Sequence, residues 1–218
     1  MEAVTLQELG FSKGATVETI VTTYTPRGNR AAAPLGVTPT ETQLGEVELR
    51  PFVSTYNYRN LLFSKAAVLN VTSDPFLFLW TTFREIKPSR KLPTEWFQQA
   101  AAVSAPALKV ADAHVEVTVV NSVEEGDRAK VRCRVERVEA RRVVPQAYSR
   151  AVRALMECII HATRIKVFHA TGDEVAVEDL LKLLHHYRSL ISRVAPDSAY
   201  SDGVEQLFNI LKSWGVSV

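Results

Sequence analysis

Six polar side chains crowd residues 50–60 of this chain, RPFVSTYNYRN: Arg50, Ser54, Thr55, Asn57, Arg59 and Asn60. Ser54 or Thr55 is placed to cap a short helix over residues 54–64. The first turn of any helix offers free backbone N–H groups and the positive end of the dipole. Hydroxyl, amide and guanidinium donors gathered at such a start make an anion cradle, the chemistry of a phosphate site without a glycine-rich loop. The same residue types also serve plain capping, so the run reads equally as an N-capped surface helix.

A second group, Glu157, His161 and Arg164, falls at i, i+4 and i+7 of a predicted helix over residues 148–168 and shares one face. It reads as an ion-pair stripe or, given the apolar neighbours Ile159, Ile160, Ile165 and Val167, as a stripe turned into an interface. The remaining histidines, His114, His169, His185 and His186, have no second ligand at metal spacing. Gly-x-Gly-x-x-Gly, a phosphate loop ending Gly-Lys-Ser/Thr, Gly-x-Ser-x-Gly, Cys-x-x-Cys and His-Glu-x-x-His do not occur. The motif-based dinucleotide, nucleoside triphosphate, serine hydrolase and zinc readings fall with them.

These groups need a frame, and the pattern supplies one. Residues 16–25 alternate and are rich in β-branched side chains, so they form a strand that turns at 26–29. The return strand, 30–38, carries three alanines, Pro34 and Gly36. Pro34 must sit at an edge or bulge, and Gly36 admits a close neighbour. Residues 46–52 and 66–71 are further strands flanking the polar helix. Residues 75–83 are apolar on every side and read as a buried or interface segment. One helix is expected over 94–103. Two long alternating runs, 110–121 and 128–143, form a hairpin across 124–127, with a slip near Val138 suggesting a bulge. Helical periodicity then covers 148–168, 175–194 and 201–214. The reading is mainly β with α, an α+β fold with a β domain over 1–145 and a helical domain over 146–218.

Composition narrows the partners. The chain has 218 residues, 46% apolar, enough to bury a core without staples. Its net charge of +2 gives no global field for nucleic acid. Two cysteines, Cys133 and Cys158, both in core patterns, fit a reducing compartment. Glu2 stands where a signal peptide would be basic, and no apolar run approaches bilayer length. A cytoplasmic protein with no membrane partner is expected.

Residues 18–24 (ETIVTTY), 32–37 (AAPLGV), 50–52 with 55–61 (RPF, TYNYRNL) and 68–75 (VLNVTSDP) resemble, in their order and spacing, the FMN-binding split-barrel superfamily. They are most similar to a chiefly archaeal family of flavin-binding proteins of uncharacterised role, and residues 162–165 (ATRI) extend the likeness into the helical part. The resemblance implies a split β-barrel followed by helices, and a homodimer with FMN at the subunit interface. It puts Ala33, Pro34, Leu35, Gly36 and Val37 against the isoalloxazine, and Arg50, Ser54, Thr55, Asn57 and Asn60 at the ribityl phosphate. Flavin reductases of this kind often carry a hydroxyl residue where Gly36 stands and an amide where Ala31 stands, so contacts there would be through backbone alone. The implied activity is that of a flavin-dependent oxidoreductase or flavin reductase drawing on NAD(P)H or another small redox partner. The alternative is a non-catalytic dimer that binds or carries FMN.

Overall fold

A computed structural model of the chain describes residues 1–12, 15–40, 45–83, 86, 92–141 and 149–218. Its elements are β1 (Glu2–Ala3), β2 (Val17–Tyr24), β3 (Arg30–Pro39), β4 (Glu46–Leu49), α1 (Tyr56–Ser64), β5 (Ala66–Val71), α2 (Pro75–Thr82), β6 (Phe97–Gln99), β7 (Pro106–Leu108), β8 (Ala113–Glu125) and β9 (Arg128–Ala140). Then follow α3 (Arg150–Thr171), α4 (Glu174–Val194) and α5 (Ala199–Ser213). They form two compact units, Met1–Ser73 with Leu92–Val144, and Asp74–Lys91 with Pro145–Val218. The expected boundary at residue 145 and the expected helix start at residue 148 lie outside the described residues.

In the first unit the strands run β1-β9-β4-β3-β2-β5-β8, and a β8–β9 pairing closes six of them into a barrel with β1 appended. Alternation builds its interior: Val21, Val37, Val47, Leu49, Leu69, Val115, Val117, Val131, Cys133 and Val135 all face one core, joined by Leu6 and Phe11 from the N-terminal turn. The hairpin turns at Gly126, φ 67°, a left-handed conformation glycine adopts without strain. Opposite Glu116 and Val117 the register steps past Glu136, which is the bulge expected near Val138.

β4 registers with β3 at Val37, Thr38 and Pro39, and Thr40 extends the junction with its N–H donating to the Glu46 carbonyl at 2.9 Å. From Arg30 to Gly36, β2 is the strand partner of β3 among the described residues. Pro34 therefore has its missing N–H at a free edge, as the sequence requires.

The outward face of β2, β5 and β8 buries an unusual set of polar side chains: Thr22, Asn70, His114 and Glu116, each 0–1% exposed. Their partners are the backbone of residues 101–108. Asn70 Oδ1 accepts from Leu108 N at 2.7 Å, and Thr22 Oγ1 donates to the Pro106 carbonyl. His114 Nε2 lies 2.8 Å from the Leu108 carbonyl oxygen. The Glu116 carboxylate accepts from the N–H groups of Ala101, Ala102 and Val103. The helix expected over 94–103 is accordingly not formed. A single 3-10 turn, Thr94–Trp96, leads into β6, because the N–H groups a helix would use are taken by Glu116 and by β7.

In the second unit, the all-round apolar segment becomes α2, capped by Asp74, whose Oδ1 accepts from Phe76 N at 2.8 Å. Phe76 stacks on Tyr200 with ring centroids 5.7 Å apart, and Phe83 meets Trp214 at 5.9 Å. A Cβ on Gly203 would lie 3.2 Å from Leu155 Cδ2 and 3.3 Å from Phe76 Cε1, so α5 needs glycine to approach this closely.

Glu116→Gln keeps an acceptor oxygen but removes the charge that three N–H groups share. It is expected to lower unfolding free energy in denaturant by about 1.5–3 kcal/mol and to speed amide exchange at residues 101–103 above the rest of the barrel. Unchanged exchange there would show that another group holds this segment.

Candidate functional site

Helix α1 begins where Thr55 takes up both roles of a cap. Its Oγ1 accepts from Tyr58 N at 3.4 Å and donates to the Phe52 carbonyl at 2.7 Å. The helix ends at Lys65, which adopts φ 53° and returns its N–H to Leu61 O. Tyr58 and Leu61 enter the barrel core beside Val21 and Val37, which seats α1 on the inward face of β2 and β3. The polar run and the small-residue strand are thereby brought to one end of the same unit.

On β3, register with Val21 puts Ala33, Leu35 and Val37 on the inward face, and Pro34 and Gly36 on the outward one. Ala33 and Leu35 are half-buried, whereas Val37 is fully buried in the core. The space beside Gly36 is taken by Thr16: a Cβ there would lie 2.8 Å from Thr16 Cγ2. The close neighbour that Gly36 admits is part of the chain itself.

The polar residues divide into committed and open groups. Arg50 Nε donates to Glu48 Oε1 at 2.7 Å, its Nη1 lies 3.8 Å from Glu125, and Lys130 completes the cluster 3.2 Å from Glu48 Oε2. Burial alone would raise the Glu48 carboxyl, but hydrogen bonds from Arg50 and Lys130 outweigh it and hold the group below the ordinary glutamate range. Thr55 is committed to capping. Ser54, Asn57 and Asn60 make no side-chain hydrogen bond among the described residues, although Asn60 is only 5% exposed. Arg59 lies with its guanidinium 5.7 Å from the centroid of the Tyr56 ring, which is 81% exposed, and has no acidic partner among the described residues.

Sequence reasoning missed Thr23. It lies on the inward face of β2 opposite Ala31, is fully buried, and its Oγ1 has no hydrogen-bond partner among the described residues. The available signal was a threonine at a core-facing position of an alternating strand.

In the second unit, His161 lies 8% exposed beneath Tyr187, ring centroids 5.9 Å apart, with Nε2 4.0 Å from Glu157 Oε2 and Nδ1 without a partner among the described residues. Burial pushes its pKa below the ordinary histidine value, Glu157 opposing and Arg164 assisting. The stripe is thus turned inward at its centre. Burial pushes both cysteine thiols up to about 12, which removes them as nucleophiles. No group of three metal-ligating side chains occurs among the described residues, and no described helix is long and apolar enough to cross a membrane.

This architecture is that of a flavin reductase-like split barrel. It superposes on the crystal structure of an FMN-bound protein from Methanosarcina mazei, itself assigned to DUF447, with a TM-score of 0.74 and 24% identity. That match covers 94% of this chain and 98% of the other. Flavoredoxin of Desulfovibrio vulgaris matches with a TM-score of 0.50 at 15% identity, over 60% of this chain and 76% of its own. A flavin reductase in its native state gives 0.50 at 20% identity, over 63% and 87%. Residues 17–142 match the family described as protein of unknown function (DUF447), N-terminal domain, and the chain belongs to that family. No curated protein matches the sequence significantly.

The lowered Glu48 carboxyl fixes the sign of one pH effect. A folded-state pKa below the unfolded one gives stability that is present above the ordinary glutamate range and is lost as pH falls through the folded value. Melting temperature should drop on acidification, and Glu48→Gln should drop less steeply; superimposable profiles would contradict the ion cluster.

Proposed function

We propose that this chain is a flavoprotein that binds FMN along the open edge of β3, beside the first turn of α1, and acts as a flavin-dependent oxidoreductase. The observation that carries the reading is the pairing of two incomplete elements. A strand stripped to alanine, proline and glycine pairs with β2 but has no second strand partner over residues 30–36 among the described residues, and on the adjoining helix Ser54, Asn57 and Asn60 make no side-chain hydrogen bond among the described residues. The orphaned Thr23 hydroxyl on the face that α1 covers fits the same picture, since a buried hydroxyl without a partner costs about 1–3 kcal/mol. The FMN held by the Methanosarcina mazei structure supports the choice of ligand.

In this reading Ala33, Pro34, Leu35 and Gly36 present backbone to the ring, with little side chain to keep a flat group away, and Val37, which pairs with both β2 and β4, anchors the end of that edge. Ser54, Asn57 and Asn60 donate to the ribityl phosphate end, and Thr55 holds the helix start that aims them. Arg50 stands beside them with its charge shared with Glu48. Bound flavin would supply the hydride chemistry, so no side-chain acid or base is needed. A nicotinamide is the proposed electron donor, and a second copy of the chain the proposed partner that covers the flavin.

The purified protein should show flavin absorbance or acquire it on FMN titration, and the bands should bleach on anaerobic addition of NADH or NADPH. A flavin that stays oxidised with both would refute the reductase activity and favour an FMN carrier; no flavin binding at all would refute the whole reading. Ser54→Ala with Asn57→Ala should weaken FMN by about tenfold or more, since bonds to a charged group are worth about 1.5–3 kcal/mol each. Thr55→Ala should instead lower stability by about 1 kcal/mol through the lost cap, read in a thermal melt.

A further inference from the structure

We infer that His161 is an acid-sensitive latch between α3 and α4: its ring cannot take a second proton while Tyr187 covers it, so acidification frees the two helices from each other. The contact sits near the middle of both helices. His161 is buried on α3, and the Tyr187 ring of α4 stacks on it with centroids 5.9 Å apart and planes 28° apart. The two ring nitrogens meet different surroundings. Nε2 lies 4.0 Å from Oε2 of Glu157, a half-exposed carboxylate. Nδ1 is buried and has no hydrogen-bond partner among the described residues. A neutral imidazole tolerates this by carrying its proton on Nε2 and leaving Nδ1 as a bare acceptor. A second proton would create a buried N–H donor without an acceptor, on a ring that is now charged.

Other histidines of the chain are provided for. His114 has Glu139 Oε1 3.4 Å from Nδ1 and the Leu108 carbonyl oxygen 2.8 Å from Nε2, so a doubly protonated ring there meets an acceptor at each nitrogen. His169 Nδ1 lies 3.6 Å from Glu174 Oε1. Around His161 the charged neighbours on its own helix act in opposite directions. Glu157 favours the proton, burial and Arg164 oppose it, and burial prevails. From α4, Tyr187 covers the ring, His186 sets its ring against Tyr187 at 5.6 Å, and Arg188 is tied to Glu205 of α5 by two bonds of 2.6 Å. His185 turns to Phe208 of α5, and α2 carries no titratable side chain. In the unfolded chain the ring titrates at the ordinary histidine value, about 6.5. Stability is therefore whole above that value and is lost as pH falls below it, until the folded ring also takes its proton. Moving α4 away from α3 gives Nδ1 access to water, so the loss falls at this contact first.

The test is amide hydrogen exchange of the full chain at about pH 7.5 and about pH 5.5, corrected for intrinsic exchange rates. Wild type should lose up to about tenfold in protection at residues 157–165 and 184–191 on acidification, the most that one ordinary histidine proton can shift over that interval. Strands β8 and β9 should keep theirs. His161→Phe keeps an aromatic ring under Tyr187 but has no nitrogen, and its α3 and α4 should hold their protection at the lower pH. An NMR titration of the wild-type ring reads the same device without a variant. His161 should stay neutral well below about 6.5, and Glu157→Gln should push its titration lower still. The inference is overturned if His161→Phe loses as much protection as wild type, if β8 and β9 lose as much as the helices, or if the native His161 ring titrates at or above the ordinary histidine value. A variant that is less stable throughout starts from lower protection at both pH values, and the ratio between them still decides.

Discussion

The short contact between β3 and β4 governs much of this molecule. The two strands close the barrel through a register of only Val37–Pro39, and Pro34 lies in the stretch where β2 is the strand partner among the described residues. The inward face needs a cover, and α1 provides it through Tyr58 and Leu61. One backbone constraint thus yields a bare strand edge and, next to it, the start of a polar helix.

The rest of the first unit holds that opening in place. On the outward face, Asn70 bridges β2 and β7: its amide donates to Ile20 O at 2.7 Å and to Thr22 Oγ1 at 2.9 Å, while its carbonyl oxygen accepts from Leu108. Tyr24 adds a bond from its hydroxyl to Gln99 at 2.7 Å. The polar side chains buried there are satisfied by backbone, which is what makes their burial tolerable. On β9 the outward side chains form a ladder of pairs, Arg132 with Glu46, Arg134 with Glu136 and Arg137 with Glu139. These exposed pairs contribute little individually, and their main effect is to fix which cations remain available.

Local rules made the strands, the helices and the capped start of α1 legible in the sequence, because alternation, β-branched content and a Thr-based cap act over a few residues. The segment after Pro93 was not legible. Its conformation depends on Glu116, more than a dozen positions later and on another strand, and no periodicity reports a carboxylate that gathers three N–H groups. Arg50 shows the same limit on a smaller scale. As a residue type it belongs in a phosphate cradle; in the fold, strand alternation sets Glu48 on its own face and pairing brings Lys130 alongside. The polar groups of the candidate site could be named from sequence, but their division into committed and open groups could not. Thr23 illustrates this from the other side, since only the folded chain shows that its hydroxyl has no partner among the described residues.

The central claim is that a flavin lies along the half of β3 that β4 does not reach and the first turn of α1. Amide hydrogen exchange of the protein with and without saturating FMN tests it most directly, because exchange reads protection segment by segment. The account predicts new protection concentrated in residues 30–37 and 54–60, with residues 101–108 and the helices of the second unit little changed. Protection confined to the outward face around residues 101–108, or no change in residues 30–37, would contradict it.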